Sequence, residues 1–161
     1  MNIFTAYYSS PVGLLKLRST AEHLVSVNFV EKKEGDINEP CNLLRNLMEQ
    51  LDDYFAGEIK SFNVSLLQKG TSFQGKVWEQ LSSIPYGKTM TYAELAVKTG
   101  DAKAVRAVAA ANGKNNLPII VPCHRVIGSN KTLTGYSGGL WRKQWLLAHE
   151  AKYHSGVHQL F

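Results

Sequence analysis

The residue best suited to nucleophilic chemistry is Cys123, which stands beside a proline and two side chains able to carry positive charge. Pro122, Cys123, His124 and Arg125 follow one another at the end of an apolar run that begins at Leu117. The proline ring fixes φ and so restricts the backbone just before the cysteine. Neighbouring cations lower a thiol pKa from about 8.5 toward neutrality, and the thiolate is the reactive form. The pattern favours a reactive thiol over a buried structural cysteine, although the latter is the commoner fate of a lone cysteine.

Two further residues extend this chemistry. Cys123 and His124 cannot share one face of a strand, because successive side chains point to opposite faces, so we expect a turn or a bridging water between them. Glu150 stands in Leu-Leu-Ala-His-Glu, where we expect the last residue of a helix. A carboxylate at a helix C-terminus is electrostatically unfavourable, and an imidazolium at His124 would compensate for it.

The elements that precede Cys123 predict a helix-turn-helix. Thr91 and Glu94 have the spacing of a capping box, so a helix should begin at Tyr92. A short turn containing glycine follows, and we expect Asp101 to cap a second helix that ends near Gly113. Two short helices joined in this way are typical of DNA-binding proteins.

The second of these helices is rich in alanine and offers few side chains that could read base edges. Its main polar residues are Lys103, Arg106 and Asn112. Base readout in the major groove normally uses several Arg, Asn, Gln or Lys side chains. The alanines either pack in a core or allow close approach to a nucleic-acid backbone with little sequence preference, with Arg106 as the long cation.

Charge is distributed unevenly along the 161 residues. Residues 1–72 hold 7 Lys and Arg against 9 Asp and Glu, whereas residues 73–161 hold 11 against 4, and the whole chain has a net charge of +5. A basic second half favours a polyanion partner, most simply nucleic acid. A solvated lysine-rich surface is the alternative explanation.

The sequence predicts an α+β fold with two domains, 1–72 and 73–161. Residues 3–8, 13–18 and 24–30 have the length and composition of strands. Residues 41–55 repeat apolar positions at helical spacing, so the first domain should be a small antiparallel sheet with one helix. A further helix is expected at about residues 73–84.

Composition excludes several classes of protein. No apolar run is long enough to cross a bilayer, and the first residues lack the features of a secretory signal. Cys41 and Cys123 are the two cysteines, which excludes a disulfide framework and suits a reducing cytoplasm. His154 and His158 are four residues apart, but without a third ligand we expect a solvated tail and no metal site.

The segment Val-Pro-Cys-His-Arg-Val at 121–126, with Arg-Ala-Val from Arg106 and Gly-Tyr-Ser-Gly-Gly at 135–139, resembles the O6-alkylguanine-DNA alkyltransferases, also called methylated-DNA–protein-cysteine methyltransferases. The resemblance covers residues 71–150, about half of the chain. It implies a ribonuclease-H-like first domain and a helical second domain with a winged helix-turn-helix.

For the reaction, the resemblance implies that Cys123 is the alkyl acceptor. His124 would be the base that reaches the thiol through a water, and Glu150 would orient His124. Asn115 would brace the turn that carries the cysteine, and Tyr92 would contact the flipped base and the DNA backbone.

For binding, the resemblance implies that Arg106 enters the duplex in place of the flipped nucleotide. We expect Lys103 and Lys114 to contact DNA beside it. The substrate pocket would be lined by Tyr136 and by Val126 and Ser137, whose backbone groups would lie near the exocyclic amine and the substrate oxygen.

The function implied is DNA repair by direct reversal, with irreversible, single-turnover transfer of an alkyl group from O6-alkylguanine in duplex DNA to Cys123. The substrates would include methylated guanine, with O4-alkylthymine left open. We expect no cofactor, no metal and no membrane partner, and a cytoplasmic monomer whose cooperation on DNA is left open. The alternatives are a non-catalytic lesion sensor, a transcription regulator and a cysteine hydrolase, of which the regulator gives Cys123 no role and the hydrolase leaves the basic half unexplained.

Overall fold

The computed structural model describes residues 2–35 and 39–155, so His158 lies outside the described residues. The chain forms two compact units, Met1–Gln68 and Lys69–Phe161. The units meet between residues 68 and 69, whereas the sequence predicts a boundary between residues 72 and 73.

The first unit is a three-stranded antiparallel sheet covered by one helix. Strands β1 (Phe4–Ser10), β2 (Gly13–Ser19) and β3 (Leu24–Val30) lie in the order β1-β2-β3. Alternate residues of a strand share one face, and helix α1 (Asn42–Phe55) packs on the buried face. The buried apolar side chains of this unit include Leu15, Leu17, Leu24 and Val27 from the sheet and Leu44, Leu47, Leu51 and Tyr54 from the helix.

The second unit contains the predicted helix-turn-helix. Helix α2 (Ser72–Ser82) is followed by the short strand β4 (Met90–Thr91) and by α3 (Tyr92–Thr99) and α4 (Val105–Gly113). The capping box that begins α3 forms as the sequence predicts, since the Thr91 hydroxyl accepts from the Glu94 amide. Gly100 ends α3 with a φ of 116°, a left-handed conformation that glycine adopts without steric cost.

The chain between α4 and the final helix carries the segment of interest. A 3₁₀ turn at Cys123–Arg125 leads directly into β5 (Val126–Ile127), which pairs in parallel with β4. Residues 128–139 form an irregular loop before helix α5 (Leu140–Ser155). After this loop, helix α5 packs against the 3₁₀ turn.

Helices α2, α3 and α4 pack together around buried apolar residues of the second unit. Trp78 of α2 donates from its indole nitrogen to the carbonyl oxygen of Ala111 in α4 at 2.9 Å. Leu95 of α3 and Val108 of α4 are fully buried in the same core. The small alanines of α4 let this helix lie close to α2, so part of its alanine content is core packing.

One expected cap does not form. The Asp101 carboxylate accepts from the Lys103 amide within the loop, and α4 begins only after Ala104, which has no side-chain cap. Aspartate side chains often make such local bonds, which compete with helix capping. The prediction that Asp101 caps the second helix is therefore wrong.

The predicted end of the last helix is also wrong. Helix α5 continues to Ser155, so Glu150 lies within it and not at its C-terminus. The unfavourable interaction with the helix dipole falls off within the last turn. The partners of Glu150 must therefore be explained by burial and not by the helix dipole.

Within residues 2–35 and 39–155, none of the helices is both long and apolar enough to cross a membrane.

Two apolar residues of α3 provide a test of this packing. Leu95 is fully buried and Val97 is 63% exposed, so Leu95→Ala should lower the free energy of unfolding by about 2–5 kcal/mol, and Val97→Ala should change it by less than about 0.5 kcal/mol. Urea unfolding followed by tryptophan fluorescence measures both, because Trp78, Trp141 and Trp145 all lie in the second unit. Equal losses for the two variants would contradict the helix orientation.

Candidate active site

The backbone places the Cys123 thiol through two tight turns. Pro122 has φ −79° and ψ 64°, an inverse γ-turn in which the Cys123 amide donates to the Val121 carbonyl oxygen at 2.8 Å. The 3₁₀ turn follows directly, so the side chains of Cys123 and His124 point in different directions. The thiol is buried, with Cys123 only 4% exposed. The turn expected between the two side chains is present.

Asn115 holds the segment before the cysteine from within. Its Nδ2 donates to the Val121 carbonyl oxygen at 2.9 Å, and its Oδ1 accepts from the Leu117 amide at 3.0 Å. The enclosed residue Ile119 has a φ of 75°, which is a genuine outlier for a β-branched residue. The two amide bonds of Asn115 thus close a loop whose backbone is strained.

A buried carboxylate joins the turn to helix α5. Glu150 Oε2 lies 2.8 Å from His124 Nε2, and Arg125 donates from Nε to Oε1 at 2.7 Å and from Nη2 to Oε2 at 3.0 Å. Arg125 also donates from Nη1 to the Ile84 carbonyl oxygen at 2.7 Å. The negative charge of Glu150 is therefore matched by the positive charge of Arg125, as a buried ion pair requires.

The charge state of Glu150 determines the form of His124. Burial alone would favour the neutral carboxyl, but the hydrogen bond with His124 and the charge and hydrogen bonds of Arg125 outweigh it and hold the pKa of Glu150 far below its usual range. Burial is the main cause that lowers the pKa of His124, so the ring is neutral at pH 7. A carboxylate only accepts hydrogen bonds; Nε2 therefore carries the proton and Nδ1 bears the lone pair.

The free ring nitrogen is buried as well. Among the described residues, His124 Nδ1 has no hydrogen-bond partner. An imidazole nitrogen with an available lone pair can accept a proton. The residue after the cysteine is thus a potential base, held by Glu150 through the opposite nitrogen.

The predicted lowering of the thiol pKa is wrong. Burial raises the pKa of Cys123 to about 11, and Asn115 and Lys143 offset only part of this. From the sequence we expected the Arg125 side chain beside the sulfur. In the structure it donates instead to Glu150 and to the Ile84 carbonyl oxygen. The unliganded thiol is therefore protonated at neutral pH.

A cavity of about 470 Å³ lies between α3, α4 and the loop before α5. Tyr92 and Tyr136 line it, and ionisation of Cys123 would raise the pKa of both phenols, but Cys123 is not itself one of the described residues that line the cavity. Burial raises the pKa of both tyrosines, which therefore remain protonated donors at neutral pH. The remaining lining residues are Val105, Arg106, Ala109, Asn112, Gly113, Thr134, Gly135 and Ser137.

The structure brings most of the predicted site residues together. Arg106 is exposed on α4 at the cavity. Lys103 and Lys114 are exposed at the two ends of α4, but within the described chain they do not line the cavity, and neither does Val126, which is buried in β5.

Two functional candidates were missed by the sequence analysis. The sequence analysis considered Arg125 only as a cation near the sulfur. Its contact with Glu150 was missed because the two residues are 25 positions apart in the chain. Lys143 is fully buried and donates from Nζ to the Thr134 carbonyl oxygen at 2.7 Å. Nothing in its spacing distinguishes it from the other basic residues, so only the fold reveals it.

Comparison with known proteins agrees with this geometry. Residues 72–152 match the family model described as the DNA binding domain of 6-O-methylguanine DNA methyltransferase, and residues 3–68 match its ribonuclease-like domain. These matches confirm the predicted α+β fold class with its two different halves.

Curated relatives cover nearly the whole chain. The chain is 46% identical to a methylated-DNA–protein-cysteine methyltransferase of Methanosarcina acetivorans, over 92% of this chain and 98% of that protein. It is 48% identical to the constitutive methylated-DNA–protein-cysteine methyltransferase of Bacillus subtilis, over 86% and 88%.

Solved structures give the same result. The O6-methylguanine methyltransferase of Mycobacterium tuberculosis superposes with a TM-score of 0.85 at 40% identity, over 94% of each chain. A second structure, the Mycobacterium tuberculosis OGT in complex with DNA, has a TM-score of 0.84 at 41% identity over 95% of this chain and 94% of that chain. The resemblance seen in residues 71–150 is thereby confirmed, and the chain belongs to the O6-methylguanine DNA methyltransferase family.

Proposed function

We propose that this protein repairs DNA by direct reversal, moving one alkyl group from O6-alkylguanine in duplex DNA to Cys123 in a single turnover. The observation that carries the proposal is the combination of a buried thiol, a neutral imidazole with an available Nδ1, and a cavity lined by Tyr92, Tyr136 and Arg106. Each part has a role in a displacement reaction at carbon. Family membership supports the same reaction class.

In the proposed step the Cys123 sulfur attacks the alkyl carbon in line with the C–O6 bond. The S–C bond forms, the C–O6 bond breaks, and the S–H proton passes to His124 Nδ1, through a water if one bridges the two. Glu150 stabilises the imidazolium that forms, because its carboxylate already accepts from Nε2. His124 then gives up the proton that it accepted, and the departing purine takes up one proton in place of the alkyl group, so the imidazole, the thioether and the purine all end neutral.

Tyr92 is proposed to assist the departing purine. Its phenol lines the cavity and keeps its proton, since burial raises its pKa. A positioned donor is most effective where negative charge develops in the transition state. The product is a thioether, which has no carbonyl for water to attack, so the protein is consumed in the reaction.

The DNA contacts are proposed for the same face as the cavity. The target base is stacked in the duplex, so it must be flipped out at a cost of about a few kcal/mol. Arg106 is an exposed cation at the mouth of the cavity, and its entry into the duplex would offset part of this cost. Lys103 and Lys114, exposed at either end of α4, are proposed to contact phosphates.

The remaining features of the proposal concern substrate range and setting. O4-alkylthymine is a second substrate class that the cavity leaves open. We propose a monomer acting in the cytoplasm, where Cys41 and Cys123, both free thiols, would stay reduced.

The first test is the mass of the intact protein after incubation with duplex DNA containing O6-methylguanine. The wild-type chain should gain one methyl group even with excess substrate, and peptide mapping should place it on Cys123. Cys41→Ala is the matched control and should gain the same group, whereas Cys123→Ala should gain none while still binding the DNA. Several methyl groups per chain, or methylation of Cys41, would contradict the proposal; a lesion sensor or transcription regulator would gain none.

The second test concerns Arg106. Arg106→Ala should slow methyl transfer from duplex DNA by about 10- to 100-fold, corresponding to about 1.4–2.7 kcal/mol in the barrier, and should slow transfer from the free alkylated base much less. Lys76→Ala, an exposed cation on α2, is the control and should leave both rates unchanged. Equal slowing of both substrates by Arg106→Ala would mean that Arg106 acts in the chemistry or in folding.

The third test follows from the raised pKa of the thiol. In a Cys41→Ser background, the rate at which iodoacetamide alkylates Cys123 should rise about tenfold per pH unit between about pH 7 and pH 10, because the thiolate fraction grows in that proportion below the pKa of about 11. The same protein with Cys123→Ala gives the background rate. A rate that levels off below about pH 8 would show that the unliganded thiol is already ionised.

A further inference from the structure

An exposed tryptophan stands at the start of helix α5. Trp141 is 52% exposed, and its neighbour Leu140 is 49% exposed. A tryptophan ring is large and mainly apolar, so leaving it in water forgoes the stabilisation that burial gives. Tryptophan is enriched in binding surfaces, where its ring supplies a large contact area. The position of Trp141 therefore indicates a contact that is made with a partner.

The neighbours of the ring hold it in one orientation. The Arg142 guanidinium lies over the Trp141 ring, 4.6 Å from its centre, in a cation–π contact. Arg142 Nη1 also donates to the Gly138 carbonyl oxygen at 2.6 Å, which ties the stacked pair to the loop before α5. A Cβ atom built on Gly139 would lie 3.6 Å from Trp141 Cδ1, so the ring packs beside that glycine. A surface that is already ordered loses less conformational entropy when a partner binds.

The exposed side chains adjoin the cavity that the proposed reaction uses. We call them the α5 patch, which consists of Leu140, Trp141 and Arg142. Tyr136 lines the cavity, and its carbonyl oxygen accepts from the Gly139 amide at 2.9 Å. Residues 136–139 therefore form a tight turn between the cavity wall and α5. A polymer that places one unit in the cavity can reach the α5 patch with the next unit.

Charge favours a nucleic-acid strand over a protein as the occupant of the α5 patch. Residues 102–149, which include α4 and the first turns of α5, contain no Asp or Glu and seven Lys and Arg. These basic residues are Lys103, Arg106, Lys114, Arg125, Lys131, Arg142 and Lys143. A basic surface with an exposed aromatic ring matches a DNA strand, whose phosphates are negative and whose sugars and bases offer apolar faces.

We propose that Trp141 packs against the sugar of the nucleotide next to the flipped one, on the strand that carries the alkylated guanine, while Arg142 faces the phosphate between them. The strand is continuous, so this nucleotide comes to the edge of the cavity when the target base enters it. The contact forms with the flipped state and not with an undistorted duplex, so it adds to the selection of damaged DNA. The inference rests on the proposed function, because it places a DNA contact beside that site.

Binding and transfer measurements separate this contact from the cavity. In the Cys123→Ala protein, Trp141→Ala should weaken binding of duplex DNA containing O6-methylguanine about tenfold, or about 1.4 kcal/mol, and binding of the unmodified duplex by less than about twofold. With Cys123 present, Trp141→Ala should accept a methyl group from the free base O6-methylguanine at the wild-type rate, because the free base has no neighbouring nucleotide. Leu66→Ala, which changes an exposed apolar residue of the first unit, is the control and should match the wild type throughout.

Three results of these measurements would overturn the proposal. They are an unchanged affinity of Trp141→Ala for the methylated duplex, equal losses with both duplexes, and slower transfer from the free base.

Tryptophan fluorescence reports the contact directly. Trp78 is 6% exposed and Trp145 is partly buried, so Trp141 is the tryptophan most open to quenching by acrylamide. In Cys123→Ala, binding of the methylated duplex should lower the quenching constant, and the decrease should be absent when Trp141→Phe is added. Quenching that the DNA leaves unchanged would contradict the contact.

Sedimentation of the DNA-free protein tests a second copy of the chain as the alternative occupant. The wild type and Trp141→Ala should both sediment as monomers at micromolar concentration. A wild-type dimer that Trp141→Ala dissociates would assign the α5 patch to a second copy and overturn the DNA contact.

The outcomes also separate this contact from the proposed function. The binding and quenching measurements use chains without the Cys123 thiol, so they do not depend on methyl transfer. A wild type that accepts no methyl group would overturn the proposed function, whereas intact transfer with no protection of Trp141 by the DNA would overturn only the DNA contact of the α5 patch.

Discussion

The site depends on one buried carboxylate, that of Glu150. It joins helix α5 to the turn that carries Cys123, and it does so by accepting from His124 and Arg125 at once. Loss of one partner from a buried ion pair typically costs about 3–5 kcal/mol, because the other charge stays buried and unmatched. The position of the turn, the orientation of the imidazole and the packing of α5 are therefore set together.

The same carboxylate explains how a thiol with a raised pKa can react. Before transfer, Glu150 and Arg125 cancel, while Cys123 and His124 are both neutral. In the proposed transfer, charge separation in the site is needed only as the thiol loses its proton, when Glu150 would stabilise the imidazolium. The product thioether is neutral again. Such a site does not need an exposed thiolate. Burial protects the thiol from oxidation until a nucleobase enters the cavity.

Local signals in the sequence were sufficient to predict most of the helices and strands. Thr91 and Glu94 determine the start of α3 by contacts within one turn, and the alternation in β2 follows from one buried face. The proposed nucleophile and its neighbours come from residues 121–126 and from the family resemblance, and their roles stay predictions. Asp101 was misassigned because its carboxylate had a closer backbone donor than the helix it was expected to cap.

The partners of charged residues were harder to predict because they depend on distant parts of the chain. Arg125 contacts Ile84 and Glu150, which are 41 and 25 residues away, so its neighbours in sequence gave the wrong partner, the sulfur. The raised thiol pKa follows from burial, which residue types beside Cys123 do not reveal. Lys143 is ordinary in sequence and exceptional only once α5 is packed.

The most direct test of this account is the tautomer of His124, read from the nitrogen chemical shifts of protein with ¹⁵N-labelled histidine, with His124→Gln used to assign the signals. The account predicts a neutral ring at pH 7, protonated on Nε2 and unprotonated on Nδ1, that takes up a proton only at lower pH than a free imidazole does, because burial lowers its pKa. A ring protonated on Nδ1, or an imidazolium at pH 7, would contradict the claim that Glu150 holds His124 as a base for the Cys123 thiol.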